Sequence, residues 1–240
     1  MSVDQRRELR AAVYQGDGRA VLAALQPVEM SRFLQLAGDG LLTAMAQQVD
    51  AAQPFVIACA SGLRARGWDG DDELADELEA ALAGTASTAL PTVRVDLDDV
   101  SELLEGGPGF DGGRIDLATG EVRYVGGVDD DNEDDVDDDD EDEDEDGRWL
   151  WVNAEAFDEG YRDMRAFVAD VDDPGVADRL SIAIDGKGAF RRFKDTIGRW
   201  PDVEDKWYRF SDERRRGRAR AWLRDAGYRP AVLTEPRYQS

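Results

Sequence analysis

The chain has 240 residues, enough for one large domain or two small ones, and its 54 acidic against 29 basic residues give a net charge of −25. It has no histidine and a single cysteine, Cys59, which excludes Ser-His-Asp and Cys-His catalysis, histidine-held metal and any intramolecular disulfide. The longest apolar stretches, such as Pro54 to Leu63, are too short to span a membrane, and the N-terminus lacks a basic then hydrophobic leader; the expectation is a cytoplasmic protein with no membrane partner and no cofactor.

From Val3 to about Leu82 apolar residues recur at three- and four-residue spacing: Leu9 and Val13, then Val21, Leu22 and Leu25, then Phe33, Leu34, Leu36, Leu41, Leu42 and Met45. That period predicts four to six short helices. Their breaks are expected at Gly16-Asp17-Gly18, Gln26-Pro27, Gly38-Asp39-Gly40, Gln53-Pro54 and Gly67 to Asp72. Cys59, between Ala58 and Ala60, reads as a small buried residue of one such helix. Asp71 and Asp72 favour the start of a last amphipathic helix carrying Leu74, Leu78 and Leu82. A linker rich in Gly, Ala, Ser and Thr, Ala83 to Pro91, then closes a helical module over residues 1–90.

Val93, Val95 and Leu97 alternate with polar residues as a strand would, and Asp98 is placed to cap a short helix through Leu104. Gly106 to Gly113 reads as a loop; Gly107, Gly109 and Gly112 match a dinucleotide fingerprint only in spacing, since they precede a strand rather than follow one. Arg114 to Leu117 and Glu121 to Val125 flank Ala118-Thr119-Gly120 as a β-hairpin. Between residues 128 and 147 lies a run in which Asp129 to Asp146 holds 16 acids in 18 positions. Such a run cannot build a core and is expected to be a disordered loop. Asp130, Asn132 and Asp134 match part of an EF-hand loop, but Asp135 stands where glycine is needed. Trp149 to Val152 supplies a further strand. Helices follow, with apolar faces Phe157, Tyr161, Met164, Phe167 and Val168; Val176, Leu180 and Ile184; Phe190, Phe193 and Ile197; and Trp207, Phe210, Trp222 and Leu223, ending near Gly227. Strands followed by helices define an α+β domain over residues 91–228, a small antiparallel sheet packed with C-terminal helices, with a tail at residues 229–240.

Several of these segments together, GRIDLATGEVRYV (Gly113 to Val125), the acidic insert, GKGAFRRFKDTIGRW (Gly186 to Trp200), KWYRF (Lys206 to Phe210), DERRR and AWL, resemble the uncharacterised bacterial protein family numbered 0158 of the UPF series over about residues 92–228. The resemblance implies no settled activity and no catalytic residues.

Lys187 to Arg229 holds 14 basic residues against 7 acids, in a chain otherwise strongly negative. Gly186-Lys187-Gly188 precedes a helix, where free backbone N–H groups, Lys187, Arg191, Arg192 and Lys194 are placed to meet an anion, with Trp207 for stacking and Arg214, Arg215 and Arg218 beyond. The same arginines on an amphipathic helix also read as a solvated face paired with Glu204, Asp212 and Glu213, with Trp207 inward. Gly186-Lys187 is not a Walker loop, since Ser181 replaces its first glycine. The reading is a noncatalytic interaction or regulatory protein with an unidentified protein partner. Its alternative is a nucleic-acid- or phosphate-binding protein using the basic C-terminal helices; a third class is an enzyme working through carboxylates.

Overall fold

The computed structural model describes residues 3–26, 30–85, 90–107, 112–125, 147–154 and 158–236. The acidic run, Pro27 and Phe157 lie outside them. Ten α-helices and five short strands form among the described residues, an α+β architecture. No helix is long and apolar enough to cross a membrane.

Five helices build the N-terminal part: α1 (Val3–Tyr14), α2 (Gly18–Leu25), α3 (Leu34–Ala46), α4 (Gln53–Arg66) and α5 (Asp71–Ala83). Asp17 caps α2 by accepting from the N–H groups of Arg19 and Ala20 at 3.0 Å each, and Pro54 sits in the first turn of α4, where a missing N–H costs nothing. One apolar cluster joins all five, from Leu9 and Val13 through Val21, Leu25, Leu41, Cys59 and Leu63 to Leu74 and Leu78.

The break expected at Gly38-Asp39-Gly40 does not occur; α3 runs straight through it. Close approach explains the glycines. A Cβ on Gly38 would lie 2.5 Å from Leu74 Cδ2, and one on Gly40 2.7 Å from Val21 Cγ1. Two neighbouring helices therefore press on α3 where it has no side chains.

Strand β1 is only Thr92–Val93. Helix α6 (Leu97–Glu105) begins one residue past Asp96, which caps it by accepting from Asp98 N–H at 2.8 Å, so the cap is Asp96 rather than Asp98. Strands β2 (Gly112–Asp116), β3 (Val122–Tyr124) and β4 (Trp149–Asn153) make an antiparallel sheet in the order β3-β2-β4. The expected hairpin forms, with Gly120 at φ +77° in its turn. Ile115, Val152, Val100 and Leu103 join Val93, Val95, Ala219 and Leu223 in a second apolar cluster.

A third cluster belongs to α7 (Asp158–Ala169), α8 (Pro174–Ala183), α9 (Ala189–Ile197) and the front of α10 (Pro201–Asp225). Met164, Leu180, Phe193, Ile197 and Trp207 fill it, as their spacing predicts. At 25 residues α10 is the longest helix described, and it touches α3, α5, α6, α7 and α9. Beyond α10, β5 (Arg229–Pro230) pairs parallel with β1, and Val232 packs into the N-terminal cluster. Thr43 Oγ1 donates to Leu233 O at 2.7 Å.

Candidate anion-binding and interaction surfaces

Of the residues singled out in the sequence, Arg214, Arg215 and Arg218 lie on α10 and are held by carboxylates. Arg214 Nε donates to Asp163 Oδ1 at 3.0 Å and Arg218 Nη1 to Asp163 Oδ2 at 2.8 Å, so one buried carboxylate takes both. Arg215 stands 2.8 Å from Glu105. Trp207 is buried, packed edge-on against Phe193 with ring centres 4.8 Å apart and against Phe167 at 5.3 Å, so its ring is core rather than a stacking surface. These four do not form an open anion site.

The rest of α10 explains why. Arg220, 1% exposed, pairs with Asp39 and donates to Gln35 Oε1 at 3.1 Å. Arg216 donates to Asp39 Oδ2 at 2.9 Å and to Asp98 Oδ1 at 2.8 Å. Burial works against the Arg216 charge, but Asp39, Asp98 and Asp96 outweigh it and hold its pKa above the ordinary value. Asp39 is the residue between the two glycines of α3.

Glu213 reaches the other way. Its carboxylate accepts from the Gln35 and Leu36 N–H groups at 2.8 and 3.2 Å, satisfying the first turn of α3, whose own preceding residue Phe33 gives no side-chain cap. Arg66 bridges Glu213 at 2.9 Å and Asp71 at 2.7 Å. The helix that sequence reads as a charged face is thus the spine of the molecule. Arg216 and Arg220 are buried and dock it onto the N-terminal helices, while Arg214 and Arg218 pair with Asp163 of α7 and Arg215 with Glu105 of α6; Lys206 and Arg224 remain exposed.

The basic residues of the α8–α9 connection are placed differently. Gly186 and Gly188 have φ of +76° and +80°, turning the chain tightly into α9. Arg192 folds back, its guanidinium donating to the carbonyls of Ala183 at 3.2 Å, Asp185, Gly186 and Lys187, so it closes the end of α8 instead of facing an anion. Lys187, Arg191 and Lys194 are exposed. Among the described residues Arg191 has only Asp195, 3.9 Å away, and its side chain is 91% exposed. Helical spacing puts Phe190, Arg191 and Lys194 on one side of α9, and Ile182, the most exposed large apolar residue described, lies on α8 at 74%.

A second surface is not evident from apolar periodicity. The register sets Arg123 of β3, Arg114 of β2 and Trp151 of β4 in one row across the sheet, with Trp149 two residues along. The Arg114 guanidinium lies 4.3 Å from the Trp149 ring and 5.6 Å from Trp151, and Arg123 and Arg148 lie 5.0 and 5.3 Å from Trp149. Arg148 Nε also donates to Asp116 at 2.9 Å; that hydrogen bond pulls the Asp116 pKa down to about 2. Strand alternation in Arg114-Ile115-Asp116 and Trp149-Leu150-Trp151 carries the signal, because side chains two apart share a face.

Two small cavities lie among the described residues: about 40 Å³ beside Asp39, Glu77, Arg216 and Arg220, and about 20 Å³ beside Arg10, Asp98 and Glu213. The larger has room for a few waters. No group of three His, Cys, Asp or Glu positioned to hold a metal occurs among the described residues.

These features define an α+β protein organised on an arginine-rich spine helix, with two cation-bearing surfaces on its C-terminal half. The model of the uncharacterised protein family UPF0158 matches residues 110–236, just over half of the chain, and the chain belongs to that family. It is 28% identical over 142 residues to the UPF0158 protein PA5073 of Pseudomonas aeruginosa, covering 59% of this chain and 89% of that one. No solved structure matches. The matched region takes in the sheet, α7 to α10 and β5; α1 to α5, which carry Asp39, Asp71 and Glu77, lie before it.

Proposed function

We propose that this chain is a noncatalytic interaction protein whose contact surface is the α8–α9 hairpin and whose partner is a protein with an acidic face. One observation carries the reading: Lys187, Arg191 and Lys194 stay exposed on the hairpin, while Arg214, Arg215, Arg216, Arg218 and Arg220 of α10 are engaged with carboxylates of the chain. Ile182 and Phe190, at 74% and 37% exposure, supply an apolar centre with a cationic rim, the anatomy of a protein interface rather than of a phosphate track. Carboxylates buried among the described residues meet arginines or backbone N–H groups instead of converging in a cleft, which supports a noncatalytic role.

The chain's lysines are Lys187, Lys194 and Lys206, so an amine cross-linker reports chiefly on this surface. Capture of partners on the full chain, with cross-linking and mass spectrometry, should give one stoichiometric protein joined through Lys187 or Lys194. Charge reversal at Arg191→Glu, which leaves the cross-linking lysines in place, should release it. A partner retained by that variant, or material removed by nuclease, would overturn the proposal.

A further inference from the structure

We infer that residues 229–236, the strap that follows α10, exchange between two copies of this chain, each strap filling the other copy's groove in a dimer. The exchange uses none of the residues of the α8–α9 hairpin, so either reading can fail without the other.

The chain's own strap defines the groove. Arg229 N–H donates to Pro91 O at 3.0 Å and Ala231 N–H to Val93 O at 2.8 Å, flanking the β1–β5 pair. Farther along, the strap is held through its carbonyls: Thr43 Oγ1 donates to Leu233 O at 2.7 Å, Gln47 Nε2 to Thr234 O at 3.3 Å and Arg94 Nη2 to Pro236 O at 3.0 Å. Gly16, at φ +62°, lets the strap backbone come close, since a Cβ there would lie 2.7 Å from Glu235 N. Val232 is the apolar anchor. The seat is shallow all the same. Val232 is only half-buried and Thr234 to Pro236 are exposed. Pro230 to Leu233 cover the cavity of about 40 Å³, on whose wall Arg220 has an Nη1 with no hydrogen-bond partner among the described residues. A strap held by main-chain groups and one partly buried side chain, over an imperfectly filled floor, separates with little loss to either core.

The hinge names the occupant. Ala226, Gly227 and Tyr228 are all that separate α10 from β5, and Gly227 turns the chain at φ +88°. Ala226, at φ −74° and ψ −3°, is nearly helical. Helical angles at Gly227 would therefore carry α10 onward and send the strap away from its own groove. Short, tightly turned hinges invite exchange. The strap of a second copy meets the same donors and the same seat for Val232, so the dimer reuses an existing contact instead of needing a new surface. Arg94, Arg229, Glu235, Asp39 and Glu77 keep the same neighbours in both arrangements. What changes is the repulsion between two chains of net charge −25, the 16 acids of Asp129 to Asp146 included. At about 0.15 M salt that repulsion is screened beyond about 8 Å, so the dimer is expected there and not at low salt.

The test is sedimentation equilibrium of the full chain at about 0.15 M salt, with reductant present so that Cys59 takes no part. The unaltered chain should show monomer and dimer in concentration-dependent proportion, interconverting slowly. Gly227→Ala has room for its Cβ, with nothing within 4 Å, so it acts on the backbone alone: it penalises the turned hinge of the monomer and favours the helical hinge of the dimer. It should raise the dimerisation constant roughly tenfold or more, because both hinges contribute. Thr43→Val removes a hydrogen bond made equally in both forms. It should speed interconversion several-fold and leave the dimerisation constant unchanged, a pattern that a dimer through any other face would not give. An unaltered chain that stays monomeric at millimolar concentration, a Gly227→Ala chain that dimerises no more tightly, or a folded Thr43→Val chain that loses its dimer would each overturn the inference.

Discussion

Gly217 shows how a single position decides the packing of the longest helix. Glycine in a helix interior costs about 1 kcal/mol relative to alanine, so Gly217→Ala should stabilise α10 if the site were open. It is closed: a Cβ there would lie 2.1 Å from Asp69 O, and a Cβ on Gly70, itself at φ +74°, would lie 2.1 Å from Gly217 O. Backbone meets backbone, and neither can yield. Gly217→Ala is therefore expected to destabilise the protein by about 1–3 kcal/mol, measured by urea unfolding; a neutral or stabilising result would mean that α10 is not seated against the loop before α5. In the sequence Gly217 is hidden, because it stands inside Arg214-Arg215-Arg216 and Arg218, where charge draws the reading. The same holds for Gly38 and Gly40, which read as a break and are points of contact. A glycine's local freedom is visible in sequence, whereas the neighbour that needs its missing side chain is not.

At the scale of elements, local patterns are legible and distant ones are not. The hairpin around Gly120, the strand Trp149 to Val152, and most of the apolar faces of α7, α8 and α9 follow from periods of two or 3.6 residues and form as expected; Phe190, grouped by spacing with Phe193 and Ile197, is instead exposed at 37%. Helix α10 resists such reading, since its back half buries Arg216 and Arg220 together with Ala219 and Leu223. No apolar period announces a face built from guanidiniums, and their acceptors, Asp39, Glu77, Asp98 and Asp163, lie on other elements far back in the chain. This arrangement makes Asp39 a critical contact. It takes Arg216 and Arg220 at once, and removing one partner leaves buried charge uncompensated. Asp39→Ala should cost about 3–5 kcal/mol. A double-mutant cycle of Asp39→Asn with Arg220→Met, followed by chemical unfolding, should show a coupling of about 0.5–3 kcal/mol; additive effects would indicate that the pair does not form in solution. Exposed pairs such as Arg191 with Asp195 should give well under 1 kcal/mol in the same experiment.

For the whole molecule, charge matters most, and its distribution ties stability to pH with a sign that can be worked out. Burial raises the carboxyl pKa of Glu213, of Glu77 and of Glu105, in each case against the pull of arginines: Arg66 at Glu213, Arg220 at Glu77 and Arg215 at Glu105. A raised folded-state pKa means that the fold holds its proton more tightly than the open chain does. The stability this contributes is fully present below the unfolded value, near 4.3, and is lost as pH rises through the raised one. Asp116, drawn down to about 2 by Arg148, acts oppositely, contributing above the unfolded value near 3.9 and losing it only as pH falls toward 2. Asp98 is lowered also: burial opposes this, but Arg216, Tyr14 and Arg10 prevail. A net charge of −25 adds self-repulsion that acid relieves. The melting temperature should therefore rise as pH is lowered through the raised values of these glutamates toward about 4.3, and fall only as pH drops below about 3.9. Glu213→Gln isolates one contributor, since it removes the buried charge yet keeps an oxygen for the N–H groups that begin α3. It should flatten the slope by up to about 1.4 kcal/mol per pH unit, the value of one proton, with little change in stability below about pH 4, where the carboxyl is protonated in both states. A melting temperature that drops steadily over that same range in the unaltered chain would show that the arginines, not burial, set the charge state of this network.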